Sequence, residues 1–230
     1  MPETRPHEKV LFYDTIAETF DTIVNRYDLN RRLEVVFTEF LSPQELNGRT
    51  VLDVGCGTGW FSQRACEVGG HVVSLDIGPR LLGKVREKCP AQLVAADACV
   101  LPFPPSTFDV VISSECIEHT VDPIRALREM GRVLKPGGAL IVTVPNRLWR
   151  VSATVAAILK IRPYEGLENW VGWRQLKREL SAMRLTITSM AGFHLFPPVV
   201  RRTWPFLRVM DRFGGAIGPV MLNIAVKARK

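Results

Sequence analysis

Hydrophobic residues recur at every third or fourth position in the first part of the chain, from Tyr13 to Leu41. This spacing places them on one face of a helix, and Asp28 and Asn30 interrupt it, so two amphipathic helices are predicted here. From Thr50 onward the pattern changes to short apolar runs, bounded by glycine, proline or polar residues, which are typical of buried strands. Strands are predicted over Thr50–Val54, His71–Leu75, Leu93–Ala95, Val110–Ser113 and Leu140–Val144.

Helical segments separate these strands. They cover Gly59–Val68, Pro79–Lys88 and a segment that begins at Pro123, where Asp122 is a good N-cap and proline suits the first turn. Regular alternation of strand and helix predicts an α/β fold with a parallel sheet that is covered on both faces. Length and composition agree, because 230 residues with 47% hydrophobic and 23% charged residues are ordinary for one globular domain.

The alternation ends after Pro145 with an aromatic insertion. A helix is predicted over Gly172–Met183, strands over Leu185–Met190 and Met221–Val226, and a proline-rich stretch over Phe196–Phe213. The last two strands are predicted to form an antiparallel edge around the insert Gly192–Gly218.

A glycine-rich turn follows the first strand, in the run Val51-Leu52-Asp53-Val54-Gly55-Cys56-Gly57-Thr58-Gly59. Glycine allows a tight turn and close approach of the backbone to a ligand. A dinucleotide fold requires a small residue where Trp60 stands. A phosphate-binding P-loop requires a lysine followed by serine or threonine, and neither follows the glycines.

The turn resembles the first motif of the class I S-adenosylmethionine-dependent methyltransferases, and four further segments resemble that family in order. Asp76 ends the second strand, as does the family's acidic residue for the ribose hydroxyls, and Asp97-Ala98 stands where the adenine edge is recognised. The strand Phe108–Ile112 and the turn Leu134–Leu140 complete the match, which covers roughly residues 50–146. Five motifs in order are far more specific than one glycine turn, although either aspartate alone could simply cap a helix.

This resemblance implies a doubly wound, mostly parallel, seven-stranded Rossmann-like sheet. It also implies three segments of one domain: an N-terminal helical lid at 1–48, an S-adenosylmethionine-binding core at 49–146, and a basic, aromatic, substrate-facing insertion with closing strands at 147–230. Tyr13 and Phe20 resemble the lid, although Phe20 is expected to belong to the core. The residues expected to bind S-adenosyl-L-methionine are Asp53, Gly55, Cys56, Gly57, Thr58, Gly59, Asp76, Ile77, Asp97, Ala98, Ser114 and Tyr13.

A second cluster, Glu115-Cys116-Ile117-Glu118-His119, follows the fourth strand, where this fold places its reactive groups. Its pattern resembles the 3-demethylubiquinol type of quinone-pathway O-methyltransferase and the small-RNA 3′-end 2′-O-methyltransferases. In both, the resemblance implies a divalent metal such as Mg or Zn, held here by Glu115, Glu118 and His119. Glu165 is the candidate fourth ligand, although the quinone enzymes carry a histidine there.

The alternative interpretation of this cluster needs no metal. His119 then acts as a general base or only forms hydrogen bonds in its loop. His194 is a further candidate ligand, but a lone histidine among aromatic residues is more often packed and satisfied.

Charge is distributed unevenly along the chain. Its formal net charge is +7, yet residues 145–230 carry 15 Lys+Arg against 4 Asp+Glu. That third also holds four of the five tryptophans, so basic and aromatic residues are mixed where a substrate or an anionic membrane surface would be met. A solvated basic face over an aromatic core explains the same pattern equally well.

We therefore expect an enzyme that methylates a small phenolic, quinol or lipid-like substrate on oxygen, in quinone or lipid biosynthesis. The alternatives are an RNA ribose 2′-O-methyltransferase, for which no RNA-binding module is recognisable, and a non-catalytic cofactor-binding partner subunit. Five cysteines without a CxxC pair, and the lack of a recognisable signal peptide or transmembrane run, favour reduced thiols and a cytoplasmic location, with or without peripheral membrane contact.

Overall fold

A seven-stranded sheet organises the protein in the computed structural model, which describes residues 11–158 and 167–230. The strand order is β3-β2-β1-β4-β5-β7-β6. The strands are β1 (Thr50–Val54), β2 (His71–Asp76), β3 (Gln92–Ala95), β4 (Phe108–Ser114), β5 (Leu134–Pro145), β6 (Thr186–Phe193) and β7 (Asn223–Arg229).

Strands β1 to β5 pair in parallel, whereas β7 runs antiparallel to both of its neighbours, β5 and β6. The predicted parallel sheet and its antiparallel edge are therefore both confirmed. Strand order reverses between β1 and β4, and in such sheets a crevice for ligands opens there, beyond the carboxyl ends of the strands.

Helices cover the sheet and precede it. Those ahead of β1 are α1 (Phe12–Thr15), α2 (Ala17–Ile23) and α3 (Arg26–Glu34), which continues into a π-helical turn, Val35–Phe40. The later α-helices are α4 (Trp60–Glu67), α5 (Pro79–Lys88), α6 (Pro123–Val133), α7 (Arg150–Ile158), α8 (Trp173–Ala182), α9 (Trp204–Asp211) and α10 (Gly214–Ile217). Short 3-10 turns lie at Pro43–Glu45, Ile117–His119, Arg147–Trp149, Arg201–Thr203 and Gly218–Val220.

Both faces of the sheet are buried, as the continuous apolar strands predict. Along β1, Val51 belongs to one apolar cluster and the next residue, Leu52, belongs to the other. Val111 and Ile112 of β4 are divided between the clusters in the same way, because successive side chains in a strand point to opposite faces. The π-helical turn Val35–Phe40 packs into the cluster that contains Val51.

The predicted helix break at Asp28 and Asn30 is wrong. The helices separate at Val24 and Asn25, and Asn25 caps α3 by accepting hydrogen bonds from the backbone N–H groups of Tyr27 and Asp28. Asp28 and Asn30 lie inside the helix. Asparagine and aspartate both favour N-caps, because their side-chain oxygens accept hydrogen bonds from backbone N–H groups of the first turn. The pattern alone therefore did not identify which of the nearby residues would cap α3.

Two segments depart most from what the sequence predicts. Strand β5 begins at Leu134 rather than Leu140, because Leu134 already pairs with Phe108 of β4, and regular pairing resumes at Ala139 after a shift of register. The proline-rich stretch Phe196–Phe213, for which no helix was predicted, contains α9, in which Pro205 occupies the first turn, where its missing N–H costs nothing.

No helix among residues 11–158 and 167–230 is long and apolar enough to cross a membrane. The five cysteines are free thiols.

Candidate active site

The turn between β1 and α4 is built on glycines in the left-handed region. Gly55, Gly57 and Gly59 have φ of 69°, 53° and 91°, which other L-residues adopt only with strain. A Cβ at Gly55 would lie 2.2 Å from Sγ of Cys116, whereas a Cβ at Gly57 would meet nothing within 4 Å. The loop is thus packed tightly at its start and borders open space at its centre.

Asp76, at the carboxyl end of β2, ties this loop to the next one. Its Oδ2 accepts a hydrogen bond from the N–H of Gly57 (2.9 Å), and its Oδ1 accepts one from the N–H of Gly78 (2.9 Å). Burial raises the pKa of Asp76 against the opposing effect of these hydrogen bonds. The carboxyl group is held at the edge of the crevice with oxygen lone pairs remaining beyond the two N–H bonds.

Asp53 lies under the loop on β1 and is 2% exposed. Its Oδ2 accepts a hydrogen bond from Oγ of Ser62 at 2.6 Å. Burial raises the pKa of Asp53 to about 7, opposed by the Ser62 bond and reinforced by the charge of Asp76. On the other side of the crevice, Asp97 accepts a hydrogen bond from the N–H of Cys99 at 2.8 Å, and so caps the turn after β3.

One cavity of about 960 Å³ brings the predicted site residues together. Its volume lies at the upper end of the range of about 300–1,000 Å³ that is typical of ligand pockets. All the predicted cofactor residues line it except Gly59, which is the N-cap of α4 and faces Val85. Glu115, Glu118 and His119 line the same cavity.

His119 ends the 3-10 turn after β4, and both of its ring nitrogens have partners. Nδ1 lies 2.8 Å from the carbonyl oxygen of Leu167, which can only accept, so Nδ1 carries the proton. In the neutral ring, Nε2 is then the basic nitrogen. It lies 3.3 Å from the hydroxyl oxygen of Tyr13, and both residues line the cavity.

Glu118 and Glu115 flank this histidine differently. Glu118 is 2% exposed, its Oε1 lies 3.8 Å from Nε2 of His119, and its Oε2 has no hydrogen-bond partner among the described residues. Burial, followed by the charge of Glu115, raises the pKa of Glu118 well above its usual value. Glu115 has a left-handed φ of 51° and accepts a hydrogen bond from Oγ1 of Thr143.

Residues that the sequence analysis did not select also line the cavity. Arg32 and Asp28 of α3 form an ion pair at 2.9 Å, and Nη1 of Arg32 donates to Oγ of Ser114 at 3.4 Å. The i,i+4 spacing of Asp28 and Arg32 in the sequence could have indicated this ion pair.

Phe20, expected in the core, instead lines the cavity and contacts Tyr13 edge to face, because α2 lies over the crevice rather than on the sheet.

A family model described as a methyltransferase domain matches residues 52–142. A probable S-adenosylmethionine-dependent methyltransferase of Mycobacterium tuberculosis (strain ATCC 25618 / H37Rv) is 33% identical over 199 residues, which are 85% of this chain and 67% of that protein. The chain belongs to the S-adenosylmethionine-dependent methyltransferases. A ubiquinone biosynthesis O-methyltransferase of Rhizobium etli (strain CIAT 652) is 30% identical over 186 residues, which are 74% of the present chain and 72% of the Rhizobium protein.

Solved structures agree on the fold. The crystal structure of an S-adenosylmethionine-dependent methyltransferase from Mesorhizobium loti superposes with a TM-score of 0.62 at 21% identity, over 81% of this chain and 93% of that one. The predicted Rossmann-like methyltransferase fold is confirmed.

The cavity of this methyltransferase fits the cofactor that the family implies. Open space above Gly57 leaves room for a ligand against the backbone, where a side chain would intrude. The carboxyl of Asp76 borders that space and is suited to accept hydrogen bonds from vicinal hydroxyls. Asp97 and Ala98, which follow β3 in the chain, line the same cavity.

The predicted metal ligands do not fit a shared ion in this methyltransferase. Among residues 11–158 and 167–230, no three His, Cys, Asp or Glu side chains converge as a metal site requires. Glu165, the candidate fourth ligand, lies outside the described residues. His194 is not among the residues that line the cavity.

His194 is fully buried as predicted, but it is not satisfied by hydrogen bonds. Neither ring nitrogen has a hydrogen-bond partner among the described residues. The ring instead stacks on Tyr27, with Nε2 3.3 Å from Oδ1 of Asp28 and Nδ1 3.8 Å from Oδ2 of Asp211. Two carboxylates and an aromatic face hold the imidazole in place of direct hydrogen bonds.

Proposed function

We propose that this methyltransferase methylates a hydroxyl group of a small phenolic, quinol or lipid-like substrate, with His119 as the general base. The observation that carries this proposal is that His119, whose basic nitrogen is Nε2, lines the same cavity as the glycine loop and Asp76. S-adenosylmethionine supplies an activated methyl group on a sulfonium. The chain then has to bind, align and deprotonate the acceptor.

His119 is suited to the proton transfer. Its Nδ1–H bond to the Leu167 carbonyl fixes the tautomer and the ring orientation, so Nε2 accepts the hydroxyl proton while the oxygen bonds to the methyl carbon and the carbon–sulfur bond breaks. Such a positioned base contributes about 10²- to 10⁴-fold, and alignment of the two reactants contributes about 7–11 kcal/mol in favourable cases.

The remaining cavity wall favours a substrate with an apolar body. Ile23, Val24, Trp149, Trp170 and Val199 all line the cavity together with the polar residues already described. The relative from Rhizobium etli is named for ubiquinone biosynthesis, and a quinol combines a phenolic hydroxyl with an apolar body. Both observations support the same substrate class.

We further propose that the C-terminal third rests on an anionic membrane from which such a substrate enters. Phe206, Val209 and Phe213 follow an i, i+3, i+7 spacing and are 51%, 50% and 53% exposed, so they form an apolar stripe on one face of α9 and the residues after it. Exposed arginines at 201, 202 and 212 lie beside the stripe in sequence. Val199, seven residues before Phe206, is 74% exposed and also lines the cavity.

The decisive experiment is incubation of the purified protein with methyl-labelled S-adenosylmethionine and a panel of catechols, quinols, lipids and RNA. We expect label in a phenol or quinol, and mass spectrometry of the product to locate the methyl group on oxygen. Label on ribose of RNA, with salt-sensitive RNA binding, would replace this proposal by the nucleic-acid alternative. Cofactor binding without transfer to any acceptor would favour a non-catalytic partner subunit.

A further inference from the structure

An acidic stripe joins the N-terminal segment to α5. Asp14 lies in α1, whereas Glu18 and Asp21 lie in α2, and all three contact α5. Oδ1 of Asp14 accepts hydrogen bonds from the N–H groups of Arg80 (2.8 Å) and Leu81 (3.3 Å) at the start of α5. Glu18 pairs with Lys84 at 2.7 Å, and Asp21 pairs with Lys88 at 2.6 Å. The segment therefore lies along α5 and contacts it at successive turns.

Asp21 also reaches the glycine-rich loop. Its Oδ1 accepts hydrogen bonds from Oγ1 of Thr58 (2.6 Å) and from Nε1 of Trp60 (2.9 Å). Lys88, which binds the other carboxylate oxygen, donates to the carbonyl oxygen of Thr58 at 2.8 Å. Although burial opposes it, the hydrogen bonds from Lys88, Thr58 and Trp60 hold the pKa of Asp21 below its usual value. We call Asp21, Thr58, Trp60 and Lys88 the clasp.

A dinucleotide-binding pattern would place a small residue at the position of Trp60. The contacts that Trp60 makes in the clasp explain why a large aromatic residue stands there. The indole N–H binds Asp21, while Nζ of Lys88 and Cζ of Arg26 lie 4.3 Å and 4.6 Å from the ring centroid. Both distances are within the range of cation–π attraction. Trp60 thus connects the start of α4 to two cations and to the N-terminal segment.

The N-terminal segment buries few of its own side chains. No residue of α1 is buried, and Ala17 is the buried residue of α2. Tyr13, Ile16 and Phe20 face the cavity rather than a packed core. Elements with few buried apolar contacts open at low free-energy cost, so the polar contacts with α5 and the loop decide how long residues 11–24 stay closed.

We propose that Asp21 is a positioning residue that couples closure of residues 11–24 over the cavity to the geometry of the glycine-rich loop. It thereby sets how tightly the methyl donor and its demethylated product are held. This rests on the proposed function in one respect, since it takes the cavity to be the cofactor site. When the clasp forms, Thr58 is fixed from both sides, and the cavity is covered by Tyr13 and Phe20.

The test is Asp21→Asn, which keeps the size of the side chain and removes its charge. Isothermal titration with S-adenosylhomocysteine should show binding about ten-fold weaker than wild type, because charge-assisted hydrogen bonds are lost. Hydrogen–deuterium exchange of residues 11–24 should become faster in the ligand-free protein. The KM for S-adenosylmethionine should rise, while kcat stays level or increases, because product leaves sooner. Salt should weaken binding by wild type more than binding by the variant.

Glu67→Gln is the matched control, since Glu67 forms a comparable ion pair with Arg64 on α4 away from the clasp. It should leave affinity and exchange unchanged. If Asp21→Asn does not fold, Lys88→Gln opens the clasp from the opposite side and should give the same two effects. Wild-type affinity together with unchanged exchange in either folded variant would overturn the proposal.

Failure of the proposed function gives a different result. If wild-type protein does not bind S-adenosylhomocysteine at all, the cofactor assignment falls, and exchange of residues 11–24 in the ligand-free proteins still decides the clasp. Faster exchange in Asp21→Asn then supports closure by the clasp, and equal exchange overturns it.

Discussion

The hydroxyl oxygen of Tyr13 lies 3.3 Å from Nε2 of His119, and the two rings meet edge to face at 5.0 Å. The residues are 106 positions apart in the chain. One belongs to the N-terminal segment and the other to the turn after β4. The candidate base is therefore in direct contact with the N-terminal segment that lines the cavity. The closure and the proton transfer that we propose both involve this pair of side chains.

Replacement of Tyr13 by phenylalanine should weaken binding of S-adenosylhomocysteine. The variant keeps the ring contacts and loses one hydrogen bond, which is worth about 0.5–1.5 kcal/mol, or roughly two- to ten-fold. Isothermal titration measures the change. Tyr27→Phe is the control, because it removes a hydroxyl that donates to the carbonyl oxygen of Trp204 instead. Equal affinity of Tyr13→Phe and wild type would contradict the assignment of Tyr13 to the lid.

His119→Ala and Glu118→Ala should still bind cofactor product but lose turnover. His119→Ala should also share the weaker binding of Tyr13→Phe, because both variants lose the same hydrogen bond. Removal of the base should lower kcat by about 10²- to 10⁴-fold, and removal of Glu118 takes away the carboxyl that lies 3.8 Å from Nε2 of the base. Initial rates with labelled cofactor and the best acceptor of the panel measure both effects. His71→Ala, at an exposed position at the start of β2, is the control. Normal turnover by both site variants would refute this assignment.

Gly57→Ala should separate folding from binding. Its backbone is left-handed, so alanine costs roughly 1–2 kcal/mol of stability, but the new methyl group meets nothing in the folded chain. It does project into the cavity, where overpacking against a ligand should weaken binding about ten-fold or more. Gly137→Ala is the control. Gly137 is also left-handed, with φ 77°, a Cβ there would also meet nothing within 4 Å, and the residue does not line the cavity. Both variants should lose similar stability in urea unfolding, and only Gly57→Ala should lose affinity.

Asp53 should make the protein less stable as pH rises. Its pKa is about 7 in the folded chain against an ordinary value of 3.8, so the folded chain retains a proton that the unfolded chain releases. The free energy of unfolding then falls by at most about 4 kcal/mol as the pH rises from 3.8 to about 7. Above that range it levels off. Urea unfolding of wild type and Asp53→Asn across this range measures the difference. The variant should show a smaller decline, and parallel pH profiles would show that Asp53 titrates normally.

Phe206→Ser should reduce sedimentation of the protein with anionic liposomes at low salt. The change removes part of the exposed apolar stripe, and rising salt should release the wild-type protein because arginines supply the attraction. Val100→Ser is the control, since Val100 is 56% exposed but lies outside the basic third. If wild type does not sediment at low salt, the proposed membrane contact is wrong.

The local elements were well predicted where one physical signal dominated. Thr50–Val54 and Pro79–Lys88 match the observed strand and helix residue for residue, because apolar runs and proline at a first turn report on short-range structure. The break near Asn25 and the start of β5 were missed. Several residues near Asn25 can act as caps, and the pairing of Leu134 with Phe108 depends on a strand distant in sequence.

By itself the sequence determined the parallel α/β architecture, the glycine turn and the order of the motifs, since each depends on residues close together in the chain. Only the tertiary structure decided which distant side chains meet: Asp21 with Trp60, Tyr13 with His119, and Arg32 with Ser114. It also decided that Glu115, Glu118 and His119 do not converge as a trio. The local pattern of apolar and polar residues determines which face of its own helix or strand a residue occupies. Contacts between residues of different elements depend on how the helices pack across the sheet.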